Sequence, residues 1–164
     1  MYNVISRQEE MQEAMTKLLI IYESGTGNTE AMAQAVSEGG ASAGASVSLK
    51  KADEATTDDL LDCDAVILGT PNYFMYMAGT VKQFLEQVYI NLRNQEATKP
   101  FAVFASGGAT GKPAIDSIER LWLMFSQRHR FKFEKAAEAV EAIGKPSPEV
   151  LEQCKQLGKK MAQS

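Results

Sequence analysis

A short segment with two glycines and several hydroxyl or amide side chains is the part of this chain best suited to chemistry. It reads Ser24-Gly25-Thr26-Gly27-Asn28-Thr29 and joins an apolar run to a helix-forming stretch. Glycines let a backbone turn sharply, so that its N–H groups point inward. The first turn of a helix adds unpaired N–H groups and the positive end of its dipole. The segment therefore predicts an anion site that contains no positively charged side chain.

The spacing around this segment distinguishes it from two other phosphate-binding motifs. A triphosphate loop reads G-x-x-x-x-G-K-[ST], and no lysine follows Gly27. The later segment 107–113 has one residue too few between its outer glycines, and proline where Ser or Thr belongs. A dinucleotide fingerprint needs a third glycine where Glu30 stands, although Asp53 could imitate its ribose-binding acid. A neutral site of this kind suits one terminal monophosphate.

Two later loops carry residue types that could hold a flat aromatic ring. The first, 69–77, contains Pro71-Asn72-Tyr73-Phe74-Met75 and offers aromatic faces and soft methionine neighbours. Its backbone amides near Asn72 could bond a polar ring edge. The second, Ser106-Gly107-Gly108-Ala109-Thr110-Gly111, has little side-chain bulk, so its backbone could approach a ring closely. Aromatic residues in a loop more often only pack it onto the domain, but the anion site nearby favours a ring.

All three loops follow strand-like segments in a chain that alternates strands and helices. Apolar or alternating runs predict strands at 18–22, 46–49, 65–68 and 101–104, with a fifth at about 130–133. One helix is predicted from about Thr29 to a stop at Gly39-Gly40, and a second at 77–92. A third is predicted along Ile115, Ile118, Trp122 and Phe125, and a fourth after the cap Ser147-Pro148-Glu149. Residues 134–142 have a helix-forming composition. The order predicts a doubly wound α/β fold with a parallel sheet and a ligand site at the carboxyl ends of its strands.

Composition limits the domain count and the partners. A chain of 164 residues fits one domain, which we place at 17–164 after an N-terminal extension at 1–16. A net charge of −4 disfavours nucleic acid as a partner, and no segment approaches the ~20 apolar residues of a membrane span. Cys63 and Cys154 lie far apart, which predicts reduced thiols and a cytoplasmic location. With one histidine, no metal site is expected.

The run Ile20–Thr29, followed by Ala33, resembles the phosphate-loop signature of flavodoxins and their relatives. The resemblance covers nearly the whole chain, from Lys17 to Ser164. It implies a five-stranded parallel sheet of order 2-1-3-4-5 with helices on both faces, and flavin mononucleotide (FMN) as the cofactor. The residues that it implies for FMN binding are Ser24, Gly25, Thr26, Gly27, Asn28, Thr29, Pro71, Asn72, Tyr73, Phe74, Met75, Ser106, Gly107, Gly108 and Gly111.

The segment Thr70–Phe74, with Met77-Ala78, is similar to one branch of that family, the NAD(P)H:quinone oxidoreductases once named for tryptophan-repressor binding. That similarity implies electron transfer from NAD(P)H through FMN to a quinone-like or other acceptor. The alternative is a flavodoxin-type carrier that moves electrons between redox protein partners. Two departures disfavour the carrier: Met75 replaces a glycine that is frequent in flavodoxins and also in the quinone oxidoreductase branch, and no tyrosine lies between Ser106 and Lys112. Left-handed backbone at Met75 would cost roughly 1–2 kcal/mol. A homo-oligomer is compatible with either function.

Charged residues near the loops give a further expectation. The loops 69–77 and 106–111 contain no Asp or Glu, and Lys112 adjoins the second, so the flavin potential should be lowered less than in dedicated carriers. A phosphoacceptor module is excluded, because it needs an aspartate where Gly69-Thr70-Pro71 stands. No catalytic residue is predicted. His129 is interpreted as a surface or strand-edge residue, and Trp122 and both cysteines as packing residues.

Overall fold

The computed structural model describes residues 15–164 together with Arg7 and Glu10, so the predicted extension at 1–16 lies almost wholly outside the described residues. The strands are β1 Lys17–Tyr22, β2 Ser46–Lys51, β3 Ala65–Pro71, β4 Ala97–Gly107, β5 Phe131–Lys135 and β6 Val140–Ile143. The helices are α1 Asn28–Ser42, α2 Thr57–Asp62, α3 Gly79–Leu92, α4 Lys112–Arg128 and α5 Pro148–Met161. Within the described part of the chain, no helix is both long and apolar enough to cross a membrane.

The strands form one parallel sheet in the order β2-β1-β3-β4-β5, which confirms the predicted order. Successive side chains of β1 point to opposite faces of the sheet. Leu19 and Ile21 pack with apolar residues of α2, α3 and α4, whereas Leu18 and Ile20 pack with α1 and α5. Helices therefore cover both faces. The apolar runs at β1 and β3 reflect this burial on two sides.

Two short strands occupy the predicted position of strand five. β5 pairs with residues 97–101 of β4, and β6 pairs in parallel with residues 104–107 of the same strand. The prediction at 130–133 overlaps β5 but missed β6. Residues 140–143 offer only four positions of alternating burial, too few for a clear strand pattern in a helix-forming context. Because β6 pairs with the last residues of β4, it brings Glu141 and Gly144 to the carboxyl end of the sheet.

The predicted end of the first helix at Gly39-Gly40 is wrong, because α1 continues to Ser42. These glycines are packing positions rather than a stop signal. A Cβ atom on Gly39 would lie 1.9 Å from the backbone oxygen of Lys155 in α5. The cap of α5 is confirmed: Ser147 Oγ accepts a hydrogen bond from Val150 N at 3.2 Å, and Pro148 opens the helix.

The isolated residues considered for chemistry have packing roles. Trp122 is fully buried and its ring stacks on Phe133 with centroids 4.3 Å apart. Cys63 and Cys154 are buried free thiols, and burial raises their pKa to about 11 and about 12. Both thiols are therefore protonated at neutral pH and suited to packing rather than to nucleophilic chemistry. His129 follows the last residue of α4, and its ring contacts those of Tyr89 and Phe125.

Candidate functional site

The loops after β1, β3 and β4 meet at one end of the sheet, because the three strands are parallel neighbours. They enclose a cleft of about 290 Å³. That volume lies at the lower end of the range for ligand pockets, about 300–1,000 Å³. The cleft is lined by Gly25, Thr26, Asn28, Thr29, Pro71, Asn72, Tyr73, Ser106, Gly107, Gly108 and Gly144.

The loop after β1 is held in a turn by one of its own hydroxyls. Ser24 Oγ accepts hydrogen bonds from Gly27 N at 3.1 Å and from Glu30 N at 3.2 Å, and Gly27 adopts a φ of 94°. Only glycine takes that conformation without cost. Among the described residues, the amide N–H groups of Gly25, Thr26, Asn28 and Thr29 have no acceptor. The turn thus presents a set of free donors next to the start of α1.

The carboxylate of Glu23 holds Ser24, the first residue of this turn. Glu23 Oε1 accepts from Ser24 N at 3.0 Å, and Glu23 Oε2 accepts from the Thr80 hydroxyl at 2.6 Å. Glu23 thereby joins the loop after β1 to the first turn of α3. The sequence reading did not identify this role, since Thr80 lies 57 positions away in the chain.

Buried hydrogen bonds tie the three loops together. The hydroxyls of Thr29 and Ser106 lie 2.7 Å apart, and both residues are buried. Asn72 N donates to Ser106 O at 2.7 Å, and Asn72 Nδ2 donates to Thr110 O at 2.8 Å. Asn72 Oδ1 is buried and has no partner among the described residues. An unsatisfied buried acceptor costs about 1–3 kcal/mol, so a ligand donor at this point would be favourable.

The loop after β3 ends in a strained turn. Tyr73 N donates to Tyr76 O at 3.0 Å, and Tyr76 N donates back to Tyr73 O at 3.1 Å. Phe74 and Met75 between them have φ values of 52° and 65°, the signs of a type I′ turn, which favours Asn-Gly. Met75 therefore does adopt the left-handed conformation that its side chain disfavours. Phe74 is fully exposed and Met75 largely so.

Replacing this turn with its preferred residues should stabilise the protein. We expect Phe74→Asn combined with Met75→Gly to raise the free energy of unfolding by about 1 kcal/mol, because two left-handed residues each cost roughly 1–2 kcal/mol and glycine entropy offsets part of the gain. Urea unfolding of the cofactor-free protein measures the difference. Phe74→Ala with Met75→Ala is the control, since it removes the same exposed side chains but keeps both Cβ atoms. Equal stability of the two double variants would contradict the assignment of strain.

The predicted site residues divide into three groups. Ten of them line the cleft, from Gly25 to Gly108. Ser24, Gly27 and Gly111 shape the turns next to it, and Phe74 and Met75 are exposed residues outside its lining. Tyr73 reaches across the cleft, because a Cβ atom on Gly25 would lie 2.2 Å from its hydroxyl oxygen. The sequence analysis did not predict that Gly144 lines the cleft. Its position follows from β6, which was not predicted as a strand.

The charge near the cleft differs from what the loop sequences alone predict. The loops after β3 and β4 contain no acid, but Glu141 reaches the second of them from β6 and accepts a hydrogen bond from Gly111 N at 3.2 Å. Lys112 offsets this charge in part, since Glu141 is, after Asp116, among the acids that raise the pKa of Lys112. Its ammonium group binds Asp116 at 2.8 Å, and this hydrogen bond raises the pKa of Lys112. The structure therefore places an acid as well as a base beside the glycine-rich loop.

The fold and the cleft define a class of protein: a doubly wound α/β domain with a cleft and a set of free backbone N–H groups at the switch point of its sheet. A family model described as a flavodoxin domain matches residues 19–140, which is most of the chain. The chain belongs to the flavodoxin family and is a flavodoxin-like flavoprotein of redox function.

Two curated relatives and one solved structure illustrate the similarity. A flavodoxin of Aquifex aeolicus (strain VF5) is 33% identical over 160 residues, which cover 91% of this chain and 86% of that protein. NAD(P)H dehydrogenase (quinone) 3 of Rhizobium meliloti (strain 1021) is 37% identical over 116 residues, covering 58% of this chain and 55% of that protein. A flavodoxin structure from the domain Archaea has a TM-score of 0.75 at 24% identity, covers 90% of this chain and 97% of that one, and supports the fold alone.

Proposed function

We propose that this protein binds FMN in the cleft between the three loops, with the phosphate at 24–29. The observation that carries the proposal is the set of four backbone N–H groups without an acceptor, at Gly25, Thr26, Asn28 and Thr29, beside the start of α1. A doubly charged phosphate can satisfy several such donors at once, and the helix dipole favours it. The Ser24 hydroxyl hydrogen remains available as a further donor, because its oxygen acts as the acceptor within the turn.

The other two loops suit the flavin ring. Asn72 Oδ1 is a buried acceptor that a ring N–H could satisfy, and Tyr73 supplies an aromatic wall. Gly107 and Gly108 let backbone approach the ring from the opposite loop. Bound FMN would supply the redox chemistry, while these residues bind and orient the ring and exclude water from it.

We further propose that the protein is an oxidoreductase that passes electrons from NAD(P)H to a quinone-like or other acceptor. No aromatic side chain covers the cleft from 106–111, which leaves space beside the ring for a second flat molecule. The similarity to a protein named NAD(P)H dehydrogenase (quinone) 3 supports this reaction. That protein is about twice as long as the matched region, so the activity remains a proposal for this chain.

The second candidate is an electron carrier that exchanges electrons with redox protein partners. The similarity to a protein named flavodoxin supports it, since that similarity spans 86% of the relative. For either candidate, we propose a cytoplasmic location, because both cysteines are free thiols and reducing compartments preserve thiols.

Two measurements test the proposals in order. First, FMN is titrated into flavin-free protein, and quenching of FMN fluorescence should give saturable binding at one site. A folded protein that leaves FMN fluorescence unchanged would refute the cofactor. Second, the FMN-loaded protein is mixed anaerobically with NADH or NADPH. Loss of the oxidised flavin absorbance supports the oxidoreductase, whereas reduction only by a flavodoxin reductase, with accumulation of the one-electron-reduced flavin, supports the carrier.

A further inference from the structure

An open groove follows the exposed side of α4 and shares no lining residue with the cleft. Its first part, about 390 Å³, lies between α3 and the second half of α4. Its second part, about 520 Å³, lies between the first half of α4 and the turn at 73–76. Both parts include Leu121 and Met124, so they form one continuous groove, which we call the α4 groove. Most of its lining is apolar, as at Tyr76, Leu85, Tyr89, Leu121, Met124 and Phe125.

An apolar knob, formed by Phe74 and Met75, stands at one end of the α4 groove. Phe74 is fully exposed, and Met75 is 65% exposed. Both residues have left-handed backbone, which side chains with a Cβ atom disfavour. Strained backbone of this kind is retained chiefly where it serves a function. Exposed aromatic residues next to an apolar groove are typical of protein–protein interfaces.

The knob and the first part of the groove lie at opposite ends of α4. Met75 lines the second part together with Pro113 of the first helical turn, whereas Arg128 of the last turn lines the first part. These two ends are about 22 Å apart, at 1.5 Å per residue. When two copies of α4 cross antiparallel about a two-fold axis near position 122, the knob of each copy reaches the first part of the groove in the other. The face is therefore self-complementary, as a symmetric dimer requires.

The charges along α4 suit the same arrangement. Asp116, Arg120, Met124 and Arg128 recur at intervals of four, and all of them line the groove. In an antiparallel crossing centred on position 122, Asp116 of one copy meets Arg128 of the other, an acid against a base. Neither arginine forms a salt bridge among the described residues. Asp116 is held only by an exposed pair with Lys112, which contributes little.

We propose that the α4 groove is the interface of a symmetric dimer of this chain, in which Phe74 and Met75 of each copy occupy the groove of the other near Tyr89. Association removes the knob, Tyr89 and Met124 from water, and this apolar burial drives it. The two contacts between Asp116 and Arg128 set the antiparallel orientation. The inference goes beyond the proposed function and does not depend on FMN, because the groove and the cleft are lined by different residues.

Phe74→Ala removes the knob from both copies of the dimer. We expect it to raise the dimer dissociation constant at least roughly thirtyfold, the effect of losing an aromatic interface anchor. Sedimentation of the full chain over a concentration series measures this constant. Leu49→Ala is the matched control, because Leu49 is an exposed apolar residue of β2, at one edge of the sheet, and lines neither part of the groove. Equal dissociation constants for Phe74→Ala and Leu49→Ala would overturn the role of the knob.

Asp116→Arg and Arg128→Asp test the antiparallel orientation. Each variant alone places like charges in both contacts between positions 116 and 128, so each should shift toward monomer. An equimolar mixture of the two restores an acid–base pair in both contacts, and mixed dimers should form with about the affinity of the unaltered protein. Native mass spectrometry identifies them, because the two chains differ in mass. A mixture no more dimeric than its components would overturn this orientation.

The unaltered full chain is measured both without flavin and with added FMN. A monomer at every concentration in both conditions would overturn the dimer and leave the groove to a different protein partner. A dimer that does not bind FMN would refute the proposed function alone, so the two failures are distinguishable. Unfolding of the turn variants is compared at concentrations where the unaltered protein is monomeric, because dimerisation otherwise adds to its apparent stability.

Discussion

Thr26→Asp is expected to weaken FMN binding by at least roughly hundredfold while leaving riboflavin binding within about threefold of the unaltered protein. Thr26 is exposed at the turn after β1 and lines the cleft. The new carboxylate would face a phosphate of charge about −1.5 to −2. At a separation of about 5 Å and an effective dielectric constant near 20, the repulsion is about 3 kcal/mol per unit charge pair, which exceeds a hundredfold change in affinity.

Riboflavin makes this prediction specific, because it has the same ring as FMN but no phosphate. Dissociation constants for both flavins come from fluorescence quenching with the same protein preparation. Thr26→Asn is the control for side-chain shape and should change either affinity only slightly. Equal losses of FMN and riboflavin affinity in Thr26→Asp would mean that the turn does not hold the phosphate. Thermal unfolding of the cofactor-free variants should be unchanged, since the Thr26 hydroxyl makes no hydrogen bond among the described residues.

The parts of the fold that the sequence predicted correctly rest on local patterns. The apolar runs of β1 and β3 indicate burial on both faces, and the glycines between 24 and 29 indicate a sharp turn before a helix. Because the strands are parallel, their following loops had to meet at one edge. The position of the cleft was therefore predictable from three short segments.

The side chains that hold those loops were not predictable in the same way. Glu23 and Glu141 act on partners that lie 57 and 30 positions away, so their roles depend on packing that no local pattern encodes. Glu141 also depends on β6, whose four residues carry too little pattern to be recognised. Sequence reading finds the backbone donors of such a site more readily than the carboxylates that position them.

The conformation of the turn at 73–76 could not be predicted from local sequence preferences, for a different reason. Neither Phe74 nor Met75 suits left-handed backbone, yet both adopt it next to the cleft. Strain of this kind persists only where the surrounding structure imposes it, and it concentrates at functional sites. Here the loop is anchored at both ends, because Asn72 N donates to Ser106 O at 2.7 Å and Met77 N donates to Ser117 Oγ at 3.1 Å. The anchors, rather than the turn residues, determine its conformation.

Gly158→Ala is expected to reduce the free energy of unfolding by about 3 kcal/mol. This glycine lies where α5 crosses α1, and a Cβ atom on it would lie 2.0 Å from Val36 O and 2.7 Å from Gly40 N. Both atoms belong to the helix backbone, so no side-chain rotation can relieve the contact. The two helices must move apart, which opens space among the buried residues around Val36, Cys154 and Leu157. Denaturant unfolding of the cofactor-free protein measures the loss.

Gly79→Ala is the matched control, because it makes the same change at the first residue of α3, where a new Cβ atom would meet nothing within 4 Å. Alanine favours helix over glycine, so this variant should be neutral or slightly more stable. Gly39→Ala should behave like Gly158→Ala, since its Cβ atom would lie 1.9 Å from Lys155 O. If Gly158→Ala and Gly39→Ala were as stable as Gly79→Ala, the close crossing of α1 and α5 would be wrong. The prediction that Gly39-Gly40 marks the end of the first helix would then be restored.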